Sequence, residues 1–168
     1  LDAVLALPTV DVEAVRAAGF KVALDAVNSV GGIIMPRLLE RMGVECVCVN
    51  CEPTGEFAHN PEPLPSNLVE LCEAVVANGA DFGVSVDPDV DRLALICENG
   101  QPFGEEYTLV SVADYLLSRI YNEALETGKS IEEIAAPYQM VTSSNLSSSR
   151  ALRDVTEQYG GDYYAAAV

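Results

Sequence analysis

The chain has 168 residues, of which 49% are hydrophobic and 21% charged, enough for one α/β domain with a real core or one domain plus part of another. A formal net charge of −17 argues against nucleic acid and anionic membranes as partners, since both reward a basic face. It does not exclude anionic small substrates, because a single cation or one arginine can set the potential inside a cleft.

No apolar stretch approaches the roughly 20 uninterrupted residues of a membrane span. The opening Leu1-Asp2-Ala3-Val4 lacks both an initiator Met and the basic segment of a signal peptide. A cytoplasmic location is expected. Both ends look cut, because Tyr163-Tyr164-Ala165-Ala166-Ala167-Val168 stops inside an apolar, strand-like run.

Apolar residues recur at helical spacing over 11–18, with Asp11 as N-cap and Gly19 as stop. Residues 21–25 form a short strand, and a glycine-containing turn over 26–32 leads into a helix at about 33–42. Residues 44–50 are the next strand. The four prolines of 51–65 mark a long irregular loop. Ser66-Asn67 is expected to cap a helix through about Ala77 that stops at Asn78-Gly79. Strands at 81–86 and 93–97 flank an acidic loop, and Asn99-Gly100 signals a tight hairpin turn.

Helical spacing then covers 105 to about 126. A strand is expected near 139–142, an amphipathic helix over 144–159 ended by Gly160-Gly161, and a last strand at 162–166. Strands alternating with helices predict a three-layer α/β/α fold around a mixed, mainly parallel sheet with an antiparallel hairpin near one edge. The predicted boundary is 1–103 for this domain, with 104–168 the start of a second, similar α/β domain.

Five cysteines are present: Cys46, Cys48, Cys51, Cys72 and Cys97. An odd number lying mostly in apolar runs fits reduced core thiols better than a disulfide framework. Cys48 and Cys51 make a C-x-x-C, but it closes a strand and precedes the turn Glu52-Pro53-Thr54-Gly55, whereas a redox pair wants a helix N-terminus. No second cysteine or histidine pair completes a zinc site.

The chemistry concentrates in Asp87-Pro88-Asp89-Val90-Asp91-Arg92. Carboxylates at alternate positions in a strand-exit loop can turn toward one point, and they repel unless a cation joins them. A solvated acidic turn is disfavoured by the apolar strands on both sides. An EF-hand fails on Arg92, which stands where the loop's glycine belongs, and on strands where helices should flank. A haloacid-dehalogenase-like phosphatase would use Asp87 as nucleophile, but its motif continues with Thr or Val where Asp91 stands. A Mg²⁺ cradle with Asp87, Asp89 and Asp91 as ligands fits better, because Mg²⁺ is commonly shared between carboxylates and phosphate. Arg92 then offers a planar donor fork to the same phosphate. A non-catalytic Ca²⁺ module is the reading from outside enzymes.

The run from Ala80 through Ala94, centred on Asp87-Pro88-Asp89-Val90-Asp91-Arg92, resembles the metal-binding segment of the α-D-phosphohexomutases, the superfamily of phosphoglucomutase, phosphomannomutase and phosphoglucosamine mutase. The family usually has Asp-Gly-Asp-Ala/Gly-Asp-Arg; Pro88 and Val90 depart at the spacers, while the three ligands and the arginine remain. Leu24-Asp25-Ala26-Val27-Asn28-Ser29-Val30-Gly31-Gly32 is similar to the opening of the family's second domain, and 52–63 to its phenylalanine–histidine–proline loop. Asn145-Leu146-Ser147-Ser148-Ser149-Arg150 and Tyr159-Gly160-Gly161 resemble its third domain.

The resemblance implies a Mg²⁺-dependent phosphoryl transfer between the 1- and 6-positions of a hexose phosphate, through a phosphoserine and a bisphosphorylated sugar. It makes Asp87, Asp89 and Asp91 the metal ligands and places Arg92 near the phosphate. The family's nucleophile sits in a Ser-His-Asn-Pro loop. Here Ala58 precedes His59-Asn60-Pro61, so no hydroxyl is available, and the segment matches the second-domain loop instead. His59 is expected to pack or hydrogen-bond rather than act as a base. The serines at 143–144 and 147–149 read as helix caps, and Arg150 as a surface residue. No lysine stands at Met140-Val141-Thr142-Ser143, where some relatives carry a candidate base. By itself the chain is expected to be inactive.

Overall fold

The first strand, Lys21–Asp25 (β1), is apolar at its three central positions and buried on both faces, which puts it in the middle of a sheet. A computed structural model describes residues 1–135 and 140–167 of the chain. They form two compact units, Leu1–Glu105 and Glu106–Val168. Two N-terminal helices, Asp2–Leu5 (α1) and Val12–Ala18 (α2), precede β1. In α2 the Asp11 carboxylate accepts from the Ala14 N–H at 2.9 Å, and Gly19 closes the helix in the left-handed region at φ 64°, as the sequence predicts.

Helix α3 (Gly31–Arg41) leads from β1 to β2 (Glu45–Val49), and α4 (Val69–Asn78) leads from β2 to β3 (Phe82–Val86). The strand order is β2-β1-β3-β4, with β4 at Leu93–Cys97. β1 pairs in parallel with β2 and β3, and β3 pairs antiparallel with β4. The two crossovers run in opposite directions along the sheet, and crossovers of the usual right hand then place their helices on opposite faces. Leu39 of α3 packs with Val22, Leu24, Val84 and Val86 on one side. Leu71 and Val75 of α4 pack with Ala23, Ala94 and Ile96 on the other. The unit is thus the expected three-layer α/β/α arrangement, with a mainly parallel sheet and a hairpin at its edge.

The second unit contains α5 (Glu105–Thr127) from its second residue on, α6 (Ile131–Ala135), and strands β5 (Val141–Asn145) and β6 (Asp162–Ala166), which pair in parallel across α7 (Ala151–Gln158). Leu117 and Met140 form its small core with Ile120, Ile131, Val155 and Tyr159 packed around them.

Local chemistry moves two expected boundaries. Ser66 and Asn67 do not cap α4; with Pro65 they form a 3₁₀ turn, and α4 begins at Val69 without a side-chain cap. The helix expected from Ser144 begins only at Ala151. Ser144 and Asn145 stay in β5, and the Asn145 side-chain oxygen accepts from the Ser147 N–H and the Ser147 and Ser148 hydroxyls. Those bonds offer the backbone a turn in place of helix. Of the expected serine caps, only Ser149 reaches the start of α7, where its Oγ accepts from the Ala151 N–H. Gln139, at the start of the strand expected over 139–142, lies outside the described residues.

Two glycines bring α3 against the sheet-end loops. A Cβ on Gly32 would lie 1.8 Å from the Cys51 carbonyl oxygen, and one on Gly31 would lie 2.6 Å from Val86 Cγ2. The first obstacle is backbone and cannot rotate away. Gly32→Ala is therefore expected to destabilise the chain by about 3 kcal/mol or more, read as a lowered urea midpoint. An unchanged midpoint would mean that α3 can shift to make room for the methyl group.

Candidate metal centre

Three loops meet at the carboxyl ends of the parallel strands, where open α/β sheets place their ligands: residues 26–30 after β1, 50–64 after β2 and 87–92 after β3. Ser29 Oγ donates to the Pro88 carbonyl at 2.8 Å, joining the first to the third. The third loop links β3 to β4 and is closed by the Val86–Leu93 pair. Pro88 follows Asp87 in a turn whose Val90 N–H returns to the Asp87 carbonyl at 3.1 Å. Proline suits that second turn position because its φ is preset. Pro88 thus departs from the glycine of the usual motif without cost to the turn.

Asp87 is 3% exposed, while Asp89 and Asp91 face solvent. Asp87 Oδ1 accepts the N–H of Asp91 at 3.0 Å and of Arg92 at 2.9 Å. One carboxylate oxygen from each of Asp87, Asp89 and Asp91 lies within 4.8 Å of the others. Among the described residues no other group of three ligating side chains comes together this way. A hard cation with oxygen ligands at about 2.1–2.6 Å holds those ligands within about 4–5 Å of one another, so the donor set fits such an ion in both chemistry and spread.

The electrostatics follow from this arrangement. Burial would push the Asp87 carboxyl up, but the two backbone donors outweigh it and hold it below the ordinary carboxylate range. Asp91 moves the other way, raised first by the charge of Asp89 and then by that of Asp87. Arg92 is the nearby cation. Its Nη1 bonds Glu62 Oε1 at 3.1 Å, while its Nε stands 3.5 Å from Asp87 Oδ2 and 3.9 Å from Asp91 Oδ1. The bond to Glu62 is the main cause that raises the guanidinium above its ordinary value. Glu62, Arg92, Pro63, Leu64, Leu93 and Glu105 line an open cavity of about 340 Å³ beside the loop.

The histidine falls elsewhere. His59 Nε2 lies 3.0 Å from Oδ2 of the fully buried Asp25, and Nδ1 lies 2.7 Å from the Asn60 carbonyl. It fastens the 51–64 loop to the end of β1, a hydrogen-bonding role. All five cysteines are free. Cys48 is exposed, not in the core; Cys46 Sγ lies 3.8 Å from it. Burial, then the neighbouring Cys48, pushes the Cys46 thiol up to about 12, which leaves it without thiolate character. Sequence reasoning named the three aspartates and Arg92 but missed Ser29, Asp25 and Glu62. The only signal for Glu62 was an acidic residue within a proline-rich loop.

Residues 1–100 match the family model for phosphoglucomutase/phosphomannomutase, alpha/beta/alpha domain II. The chain belongs to that family. It is 44% identical over 109 residues to a phosphoglucomutase/phosphomannomutase of Thermococcus kodakarensis, covering 64% of this chain and 24% of that protein. A phosphomannomutase/phosphoglucomutase of Pseudomonas putida is 36% identical over 101 residues, 59% of this chain and 22% of its own length. The chain therefore spans about a quarter of these relatives. The crystal structure of a phosphoglucomutase/phosphomannomutase family protein from Burkholderia thailandensis superposes with a TM-score of 0.73 at 24% identity, over 94% of this chain and 32% of that one, and so shares the fold.

The opposite shifts of Asp87 and Asp91 give opposite expectations in chelator. Asp87→Ala strands two backbone donors and is expected to cost about 1–3 kcal/mol. Asp91→Asn removes a repulsive charge and is expected to raise the melting temperature. Thermal melts at neutral pH in EDTA check both signs.

Proposed function

We propose that this chain supplies the Mg²⁺-binding part of a phosphohexomutase active site, with Asp87, Asp89 and Asp91 as ligands and Arg92 facing a phosphate. Residues 1–103 would be the second domain of such an enzyme and 104–168 part of the third. The observation that carries the reading is the convergence of the three carboxylates beside a guanidinium, at the ligand-binding end of a family-matched sheet.

A bound Mg²⁺ would offset charge on a phosphoryl group and help align it. The chain's own residues do the positioning. Asp87 is held at Oδ1 by the backbone N–H groups of Asp91 and Arg92, which leaves Oδ2, 3.5 Å from Arg92 Nε, as the oxygen a cation would take. Asp89 and Asp91 complete the set from the exposed side. Arg92 supplies a planar fork for phosphate oxygens, and preorganised charge of this kind contributes most of the stabilisation in phosphoryl transfer. The proposed substrate is a hexose phosphate handled in a reducing, cytoplasmic setting; among the described residues no helix is long and apolar enough to cross a membrane.

An aspartate-nucleophile phosphatase is disfavoured, because Asp87 Oδ1 already accepts two N–H groups and Oδ2 faces Arg92. No serine stands before His59-Asn60-Pro61, so the 168 residues alone are expected to show no conversion of glucose 1-phosphate to glucose 6-phosphate. In calorimetric titrations, Asp89→Asn is expected to weaken Mg²⁺ or Mn²⁺ binding by about tenfold or more. Turnover by the isolated chain, or Ca²⁺ preference with a folding transition, would overturn the proposal.

A further inference from the structure

The 51–64 loop holds none of the three carboxylates, yet it reaches their arginine. Glu62 is fixed at its backbone on both sides: its N–H donates to Asn60 Oδ1 at 3.2 Å, and its carbonyl accepts from Asn67 Nδ2 at 2.8 Å. The loop is pinned again where His59 meets buried Asp25, and where Asn28 Nδ2 donates to the Glu52 carbonyl. On the other side, the backbone of Arg92 is fixed by Asp87. Two immobilised backbones thus present one carboxylate and one guanidinium to each other at 3.1 Å.

Arg92 has three acidic neighbours but makes a hydrogen bond to only one. Glu62 is within bonding distance, whereas Asp87 and Asp91 stand at 3.5 and 3.9 Å. A guanidinium fork is well matched to carboxylates. Released from Glu62, it would settle on Asp87 and Asp91 and compete with any cation for the same oxygens.

We propose that Glu62 is a positioning residue of the cation centre: it draws the Arg92 guanidinium away from the Asp87 and Asp91 oxygens and leaves them for a divalent cation. The inference rests on the cation-site reading above. Exposed ion pairs usually stabilise little, because two long side chains must be ordered to make them. Here the backbone hydrogen bonds fix only where the two side chains start, and their rotamers are ordered by the ion pair itself, so the expected effect is small. The quantity at stake is also smaller than a fold: only which carboxylate the guanidinium chooses.

Glu62 could also favour a cation simply by its charge, and a double-mutant cycle separates the two routes. Mn²⁺ is titrated by calorimetry, without phosphate ligands, into the intact chain and its Glu62→Gln, Arg92→Gln and doubly substituted variants. Glu62→Gln is expected to weaken Mn²⁺ binding by about 2–5-fold, and by less than half that factor when Arg92 is already Gln. Arg92→Gln alone should tighten binding. An equal factor in both backgrounds would mean charge or a folding defect acts alone, and no effect would mean Glu62 is idle; either overturns the proposal. If the unsubstituted chain binds no Mn²⁺, the cation centre itself falls, and this inference with it.

Discussion

The site depends on one carboxylate turned inward. Asp87 sits at the end of a buried strand, where an unpaired charge would be costly, and it is satisfied by accepting two consecutive N–H groups from its own loop. That pair of bonds fixes the backbone of Asp91 and Arg92 and closes the loop on itself. It decides which side chains point out of the loop. Asp89, Asp91 and the guanidinium are aimed where they are because Asp87 holds the chain beneath them.

Strain accumulates at the same end of the sheet. Val27, Asn28, Asn50 and Val90 all have positive φ, and they follow the three parallel strands. For β-branched valines that conformation is a genuine outlier, and such strain clusters at ligand sites when the surroundings over-determine it. Here the over-determination is visible. Ser29 ties the first loop to the third, the Val27 N–H donates to Asp25, and Gly31 lets α3 lie directly against Val86.

Much of this was legible in the sequence because it is encoded locally. Asp11 and Gly19 bracket a helix by capping chemistry, Asn99-Gly100 turns a hairpin, and apolar runs of β1 and β3 announce buried parallel strands. The aspartates are legible for the same reason: they lie within a few residues of one another. Glu62, Ser29 and the Asp25–His59 pair were not, since each acts on a partner 30 or more residues away. The serine-rich segment misled at short range. Asn145 gathers the following hydroxyls into a turn, a competition with helix that periodicity does not register.

The hairpin that carries the acidic loop has a consequence for folding order. Bringing Asp87, Asp89 and Asp91 together needs only β3 and β4 to pair through the Val86–Leu93 contact, a short closure with a small entropic cost. Hairpins of this kind form in microseconds. The parallel partners β1 and β2 and the loop bearing Glu62 require much longer closures and arrive on a slower timescale. The three carboxylates are therefore gathered by the shortest closure in the sheet, whereas the contact between Arg92 and Glu62 spans 30 residues and depends on the longer ones.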